Sequence, residues 1–342
     1  MMVTRRFPIP SVLLFSLRTV LIASLWASVV YALYALVGWT MLRIPFLPVA
    51  TVGTAVAFYV GFKNNASYDR FWEGRKIWGG IVNQSRSFAV ATLAYLPADG
   101  TPERDALRRT LVYRQLAWIN ALRLQLRKTS RFFDKPARTT KRRLERHAEH
   151  MRNDWQRELA PFLDAAELAE VSANKNACSQ LTRRQAQVLA EMQRAGALDL
   201  FHQIDLMDVL ESLTTLQGQA ERIKKTPFPR QYAEFSRIFV TVFSVLVPFG
   251  LLDVFADHVH AAGAGGGAQW GPIVPMICAS ALVTWVFRTM EGIGDSSEDP
   301  FERSMNDVPM NALCRTIEID LREMLGETEL PAPEAPIDGL LY

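Results

Sequence analysis

Three side chains in one long apolar segment recur at the spacing of a single helical face. Thr54, Phe58 and Phe62 stand at positions i, i+4 and i+8, so an α-helix would place them along one stripe. Asn65 and Asp69 continue roughly the same stripe into the polar stretch that follows. These groups form neither a nucleophile–base pair nor a set of metal ligands. The chemistry they could serve is the lining of an aqueous passage, with aromatic rings at one level and polar oxygens below them.

The element that must position this stripe is interpreted as one helix over 44–78. Backbone polar groups in lipid must be paired internally, so a continuous helix is the least costly exit from a bilayer. We predict that its far end is joined to a cytoplasmic domain by Arg70, Trp72, Arg75 and Trp78. Ordinary packing or contact with lipid would explain the two Phe side chains equally well, and the residue pattern alone leaves this alternative open.

Four apolar runs predict four membrane-spanning helices, at 19–42, 44–62, 235–255 and 270–287. The first run has 24 residues without a charge, more than the roughly 20 that a helix needs to cross a bilayer. Its hydrophobicity on every side is unlike the one-sided pattern of a soluble surface helix. The third run carries Arg237 near its start. The resulting fold class is an all-α membrane protein with a large helical cytoplasmic region.

The basic residues predict the orientation of these spans. Arg5, Arg6, Lys63 and Arg288 lie at the ends that would share one side, whereas the two connecting loops contain only Arg43. The positive-inside rule then places both termini and the middle region in the cytoplasm.

These boundaries divide the chain into four parts. Residues 1–62 carry an N-terminal segment and the first two spans. Residues 63–232 form the cytoplasmic helical region, of which 63–80 is the inner extension of the second span. Residues 233–292 hold the third and fourth spans. Residues 293–342 hold an acidic motif and a Pro-rich, acidic tail, which we expect to be disordered or to wrap a neighbouring subunit.

Composition excludes several classes of function. A net charge of +3 is too small to indicate a nucleic-acid partner, and the three cysteines lie far apart with no paired spacing. We predict no metal site, no cofactor and no catalytic residues, so no enzyme. Residues 101–160 hold 13 Arg and 3 Lys against 7 acids. This excess favours either a solvated face near an anionic leaflet or a reservoir that concentrates anions at a pore mouth.

Three motifs resemble the bestrophin family in its bacterial branch. They are GFKNNASYDRFWEGRKIWG at 61–79, ERIKKTPFPRQY at 221–232 and EDPFERSMNDVPM at 298–310. Their order and spacing fit the family layout of two helical hairpins around a long cytoplasmic insert. The resemblance covers almost the whole chain and ends at about residue 325.

The resemblance implies a homopentamer in the lipid bilayer, with the second helix of each subunit around a central ion pathway. Family positions that form a narrow apolar neck fall on Thr54, Phe58 and Phe62, with Asn65 and Asp69 on the pore side below. The outermost position is Thr, whose hydroxyl should weaken dewetting there.

The family also has a second constriction at the cytoplasmic exit. That position falls near Phe201, with Ile204 as its neighbour. Both lie in a segment whose apolar positions recur at helical spacing: Leu200, Ile204, Met207, Leu210 and Leu213.

Animal members of the family are opened by calcium held at an acidic motif, of which this chain keeps a remnant. Asp299, Asn306 and Asp307 stand in the corresponding segment, but Arg303 and Met305 interrupt the acids. Calcium takes six to eight oxygen ligands, so these side chains work against its binding. We therefore expect calcium independence.

The permeating species is expected to be a small monovalent ion, chloride by family. Two alternatives stay open. Asn65 and Asp69 would favour cations, whereas Lys63 and the Arg-rich insert would favour anions. A secondary transporter of a small anion such as bicarbonate is the less favoured alternative, because the two hairpins show no inverted repeat.

Overall fold

The computed structural model describes residues 1–3, 9–128, 145, 147–148, 152–261, 273–302, 304 and 306–342. This part of the chain is helical, with isolated β-bridges. The helices are α1 (Ile9–Ala35), α2 (Phe46–Tyr95), α3 (Pro102–Arg127), α4 (Trp155–Leu159), α5 (Ala165–Ala173), α6 (Ala177–Arg194), α7 (Leu200–Lys225), α8 (Arg230–Ala261), α9 (Ile273–Ser297) and α10 (Met310–Met324).

The chain divides into two compact units. The apolar unit comprises Thr4–Asp69 and Phe228–Glu298. The polar unit comprises Met1–Val3, Arg70–Pro227 and Asp299–Tyr342. Four helical segments among the described residues are long and apolar enough to cross a membrane, at Ser16–Ala35, Thr40–Tyr95, Arg230–Ala256 and Ile273–Ser297. The predicted number of membrane-spanning helices is therefore supported by length and composition.

The core of the apolar unit is built from aliphatic and aromatic side chains. One buried cluster joins the outer half of α2 to α8, and its members are Val49, Val56, Val60, Val240, Phe243 and Val247. A second cluster joins α1 to α8 and α9 through Val30, Tyr31, Leu252 and Met276. Each helix buries one stripe in these clusters and leaves its remaining apolar face exposed, as expected of helices that meet lipid or another subunit.

The polar unit has a separate and larger core. Its largest fully buried side chains are Trp78 of α2 and Trp118 and Arg123 of α3. Asp and Asn residues cap the helices packed around them: Asp154 accepts from the Arg157 amide, and Asp164 from the Glu167 amide. Such caps satisfy backbone donors that have no partner within the helix.

The prediction of a single helix that continues from the apolar segment into the polar stretch is confirmed, but the observed helix is longer than the predicted 44–78. Helix α2 runs for 50 residues, from Phe46 to Tyr95. The first span differs from its predicted range, because α1 ends at Ala35 rather than near residue 42. Gly38 adopts φ +78 in the connection, a conformation that glycine tolerates without a steric penalty.

The apolar stripe predicted on α7 is shifted from its observed position. Leu210 and Leu213 are buried as expected, but Leu200, Ile204 and Met207 are exposed. The buried stripe begins at Leu206 instead. Leu206 lies one residue before Met207, so the buried face at the start of α7 is rotated by about 100° from the predicted one.

The C-terminal tail is ordered against its own chain, unlike the expectation for its composition. Glu327 accepts a hydrogen bond from Arg322 Nε at 2.7 Å. Glu334 forms an ion pair with Arg152, and the buried Tyr342 hydroxyl lies 2.6 Å from His147 Nδ1. The acidic residues that suggested disorder are the ones that hold the tail in place.

Several predicted features lie outside the described residues. They are Arg5 and Arg6, the stretches 129–144 and 149–151 of the basic segment together with Arg146, the glycine-rich loop from 262, the first residues of the fourth apolar run, and Arg303 and Met305.

Candidate functional site

The stripe of Thr54, Phe58 and Phe62 lies on the exposed side of α2. In the single chain, 66% of Phe58 and 72% of Phe62 is exposed, whereas Val56 and Val60 of the same helix are buried. The helix therefore packs on its own chain through its valines and presents two rings, one turn apart, outward. Exposed aromatic rings on a continuous helix need a further environment, either lipid, solvent or a second subunit.

Thr54 presents less polarity than its hydroxyl suggests. Thr54 Oγ1 donates a hydrogen bond to the Ala50 carbonyl at 3.0 Å. Its donor is thus satisfied within the helix, a common arrangement for Thr in helices. The Thr54 hydroxyl is therefore expected to weaken dewetting less than the sequence alone suggests.

An apolar cavity of about 340 Å³ flanks this stripe. Gly53, Thr54 and Ala57 line it from α2, Phe243 from α8 and Phe287 from α9. The Phe243 ring packs directly on Gly53, where a Cβ atom would lie 2.7 Å from the ring carbons. Such a contact is typical of small residues at places where membrane helices approach closely.

The charged groups below the two rings are not arranged as the sequence suggested. Asn65 and Asp69 are exposed on α2, in keeping with the stripe. Lys63 is not: its side chain is fully buried, 3.5 Å from Glu291 Oε1, and it also pairs with Asp295. The expectation that Lys63 favours anions along the path is wrong, because α9 supplies two carboxylates that neutralise it.

The acidic motif after α9 packs against α2 and α7 within the polar unit. Asp299 Oδ1 lies 3.5 Å from Arg70 Nη2, and Glu302 pairs with Lys224. Phe301 is buried against Gly74, where an added Cβ would lie 3.3 Å from the ring. These acids are engaged with basic side chains.

The other motif residues have mixed environments. Asp307 is buried, and its Oδ1 accepts from the Val308 amide at 2.8 Å. Asn306 is half-buried and also has interactions with its surroundings. Among the described residues, His, Cys, Asp and Glu side chains form no group of three that could hold a metal ion.

Arg70 links α2 to α7. Its Nη2 donates to the Ile223 and Thr226 carbonyls at 2.5 and 2.6 Å, at the C-terminal end of α7. A guanidinium at this position satisfies terminal carbonyls and opposes the negative end of the helix dipole. Of the four residues predicted to attach α2, Trp78 is also buried and Arg75 half-buried, but Trp72 is 48% exposed.

Phe201 and Ile204 occupy the first turn of α7, with 74% and 47% of each residue exposed. The Asp199 side chain caps this turn by accepting from the Phe201 amide at 2.8 Å. The cap fixes where the helix begins and so where the two apolar side chains project.

Sequence reasoning missed one acid in the third apolar run. Asp253 Oδ1 accepts from Arg43 Nε at 2.6 Å, and its Oδ2 from the Phe46 amide at 3.2 Å. It thus neutralises the loop arginine and caps α2. An acid near the end of an apolar run, with one basic residue in the nearby loop, was the signal that could have found it.

The three cysteines differ in exposure, since Cys278 is exposed and the other two are buried. Cys178 and Cys314 are fully buried, and burial raises the pKa of the Cys314 thiol to about 11. A thiol in such surroundings stays protonated and is a poor nucleophile.

The comparisons with known proteins agree with this architecture. The model of the bacterial and fungal bestrophin proteins matches residues 8–323. The voltage-dependent anion channel-forming protein mll4386 of Mesorhizobium japonicum is 30% identical over 280 residues, 82% of this chain and 75% of that protein. The voltage-dependent anion channel-forming protein YneE of Escherichia coli K12 is 30% identical over 306 residues, 89% of this chain and 85% of that protein.

The fold also matches a solved structure. The crystal structure of a bacterial bestrophin homolog from Klebsiella pneumoniae has a TM-score of 0.73 at 24% identity, covering 91% of this chain and 98% of that one. The motifs, the four apolar helices and these matches lead to one assignment: the chain belongs to the bacterial and fungal bestrophin family.

Proposed function

We propose that this chain is an ion channel of the inner membrane, built as a homopentamer around a pathway lined by the exposed stripe of α2. The observation that carries the proposal is the pair of exposed rings, Phe58 and Phe62, on a helix whose opposite side is buried in its own chain. Around a fivefold axis these rings form two apolar collars, and Thr54 a third, outer ring. Such constrictions close by expelling water.

Residues 1–62 and 233–292 form the membrane part in this proposal. Residues 63–232 and 293–342 form the cytoplasmic part, with both termini inside. Asn65 and Asp69 face the pathway below the collars, and Phe201 with Ile204 forms a second aperture at the cytoplasmic exit. Their exposure in the single chain supports these roles.

The permeating ion is a small anion of the chloride type. Two relatives that are 30% identical carry the name of voltage-dependent anion channel-forming proteins. Single-channel recording of the purified pentamer in a planar bilayer under a KCl gradient tests this directly. The reversal potential is expected to lie between zero and the chloride equilibrium potential. Saturable flux of a substrate without unitary currents would favour a transporter instead.

A cation-selective pathway is the second candidate, and one observation favours it. Lys63 is buried and neutralised by α9, while Asp69 remains exposed on the stripe. Five Asp69 carboxylates around one axis would raise the local concentration of cations.

Neutralising this carboxylate tests the cation candidate. If Asp69 faces the pathway, Asp69→Asn shifts the reversal potential in a KCl gradient towards the chloride equilibrium potential. Asp105→Asn is the matched control, since Asp105 is an exposed acid of α3 paired with Arg108. An equal shift in both variants, or none in the first, would remove Asp69 from the pathway.

Calcium independence is also part of the proposal. The acids Asp299 and Glu302 are engaged with Arg70 and Lys224, which supports a packing role for the motif. We expect the open probability to be the same in chelator and at roughly 10 µM free calcium, the upper end of the range of calcium sensors. A steep rise over this range would contradict the packing role.

A further inference from the structure

The two residues that follow Phe62 are both held by α9. The Lys63 side chain has no exposed surface, and its Nζ lies 3.5 Å from Glu291 Oε1 and pairs with Asp295. Asn64 Nδ2 donates to the Met290 carbonyl at 2.9 Å. Both contacts lie within the apolar unit and join sequence positions more than 200 residues apart.

The fit around Asn64 is steric as well as polar. Gly294 lies opposite this side chain, and a Cβ atom at Gly294 would collide with Asn64 Oδ1. Residues 290–295 of α9 therefore supply a backbone carbonyl, two carboxylates and, at Gly294, the space that the Asn64 side chain occupies. We call this group of five residues the α2–α9 clamp: Lys63, Asn64, Glu291, Gly294 and Asp295.

Helix geometry connects the clamp to the aromatic collar. Successive side chains of an α-helix are about 100° apart, so Asn64 projects about 200° from Phe62. Holding residues 63 and 64 against α9 turns Phe62 away from α9, and 72% of Phe62 is indeed exposed. Contacts at two successive positions, about 100° apart around the helix, oppose rotation of α2.

We propose that the α2–α9 clamp fixes the rotation of α2 that keeps the Phe62 collar narrow, and that Lys63 and Asn64 are positioning residues of the neck rather than ion-contacting ones. This inference rests on the proposed channel function. Two carboxylates of α9 hold the Lys63 ammonium away from the exposed stripe, so its charge acts on α9 and not on the permeating ion. Release of the clamp lets the rings move off the axis, and the neck wets more readily.

The main test removes the clamp without leaving a buried unpaired charge. The triple variant Lys63→Met, Glu291→Gln, Asp295→Asn keeps the side-chain shapes and removes all three charges. The single variant Gly294→Ala displaces Asn64 without any change of charge. The pair Ser16→Ala, Trp285→Phe is the matched control, since it removes another polar contact of α9 in the apolar unit, one made to α1 rather than to α2.

Single-channel recording in a KCl gradient gives two readouts. Both clamp variants are expected to raise the open probability several-fold and to leave the reversal potential unchanged, while the control pair does neither. A merely structural role would lower the yield of pentamer or the conductance and would not raise the open probability. If the triple variant fails to assemble, Gly294→Ala decides the question alone.

Other outcomes overturn the inference in distinguishable ways. An unchanged open probability in assembled variants refutes the positioning role and leaves the proposed channel intact. A shift of the reversal potential in the triple variant would mean that the charges of the clamp act on the permeating ion directly, and would contradict a purely positioning role. Absence of unitary currents in the wild-type pentamer contradicts the channel itself, and the positioning role with it.

Discussion

Replacing Phe58 and Phe62 together by alanine is expected to turn a channel that is mostly closed into one that is mostly open. Both rings project from the exposed side of α2, 66% and 72% exposed in the single chain. In a ring of subunits they would narrow the pathway enough to expel water, and alanine would leave a wider opening that stays hydrated. Open probability in single-channel recordings, with the pentamer confirmed by its mass, measures the effect.

An aromatic residue elsewhere in the apolar unit provides the control. Phe235 is 47% exposed on α8, and Phe235→Ala removes a similar ring without touching α2. We expect its open probability to match the wild type. If the double variant gates like the wild type, the two rings serve packing or lipid contact, the alternative that the residue pattern left open.

Removing the Glu158 carboxylate is expected to cost the polar unit much of its stability. Glu158 Oε2 accepts from Arg123 Nη2 at 2.5 Å, and both side chains are almost fully buried. Arg123 also donates to Asn311 Oδ1 at 2.7 Å. Removing one partner of a buried ion pair leaves an uncompensated charge and costs about 3–5 kcal/mol.

Thermal unfolding followed by tryptophan fluorescence checks this expectation, because Trp118 lies in the same core. For a unit of this size the loss in Glu158→Ala corresponds to a fall in Tm of roughly 10 °C. Glu170→Ala is the control: Glu170 pairs with Arg183 and Arg184 at the surface, and such pairs contribute about 0–1 kcal/mol. Equal falls in Tm for Glu158→Ala and Glu170→Ala would show that burial does not determine how much an ion pair contributes to stability.

The elements of this fold were largely predictable because their signals are local. Apolar runs gave the four candidate spans, and the spacing of Thr54, Phe58 and Phe62 placed them on one side of α2. Burial of Val56 and Val60 on the other side agrees with that phase. The family motif at 61–79 supplied what periodicity could not, namely a reason for a polar extension of an apolar helix.

What escaped prediction depends on partners that are distant in sequence. Lys63 was expected to act on the permeating ion, but its side chain is buried and binds Glu291 and Asp295 of α9. Asp253 was overlooked until its contact with Arg43 was seen. On α7, the exposed Leu200 and Ile204 do not share the face that buries Leu210 and Leu213. In each case the missing information is which face of a helix meets which neighbour.

Cysteine accessibility along α2 is the measurement that tests the central claim most directly. In a Cys278→Ser background, a charged thiol reagent is applied to Asn65→Cys and Ser67→Cys channels during recording. Asn65 is exposed on the stripe, whereas Ser67 is buried in the chain. The account predicts that the reagent changes or blocks the current through Asn65→Cys and leaves Ser67→Cys unaffected. Currents that respond equally at both positions, or at neither, would contradict a pathway lined by α2.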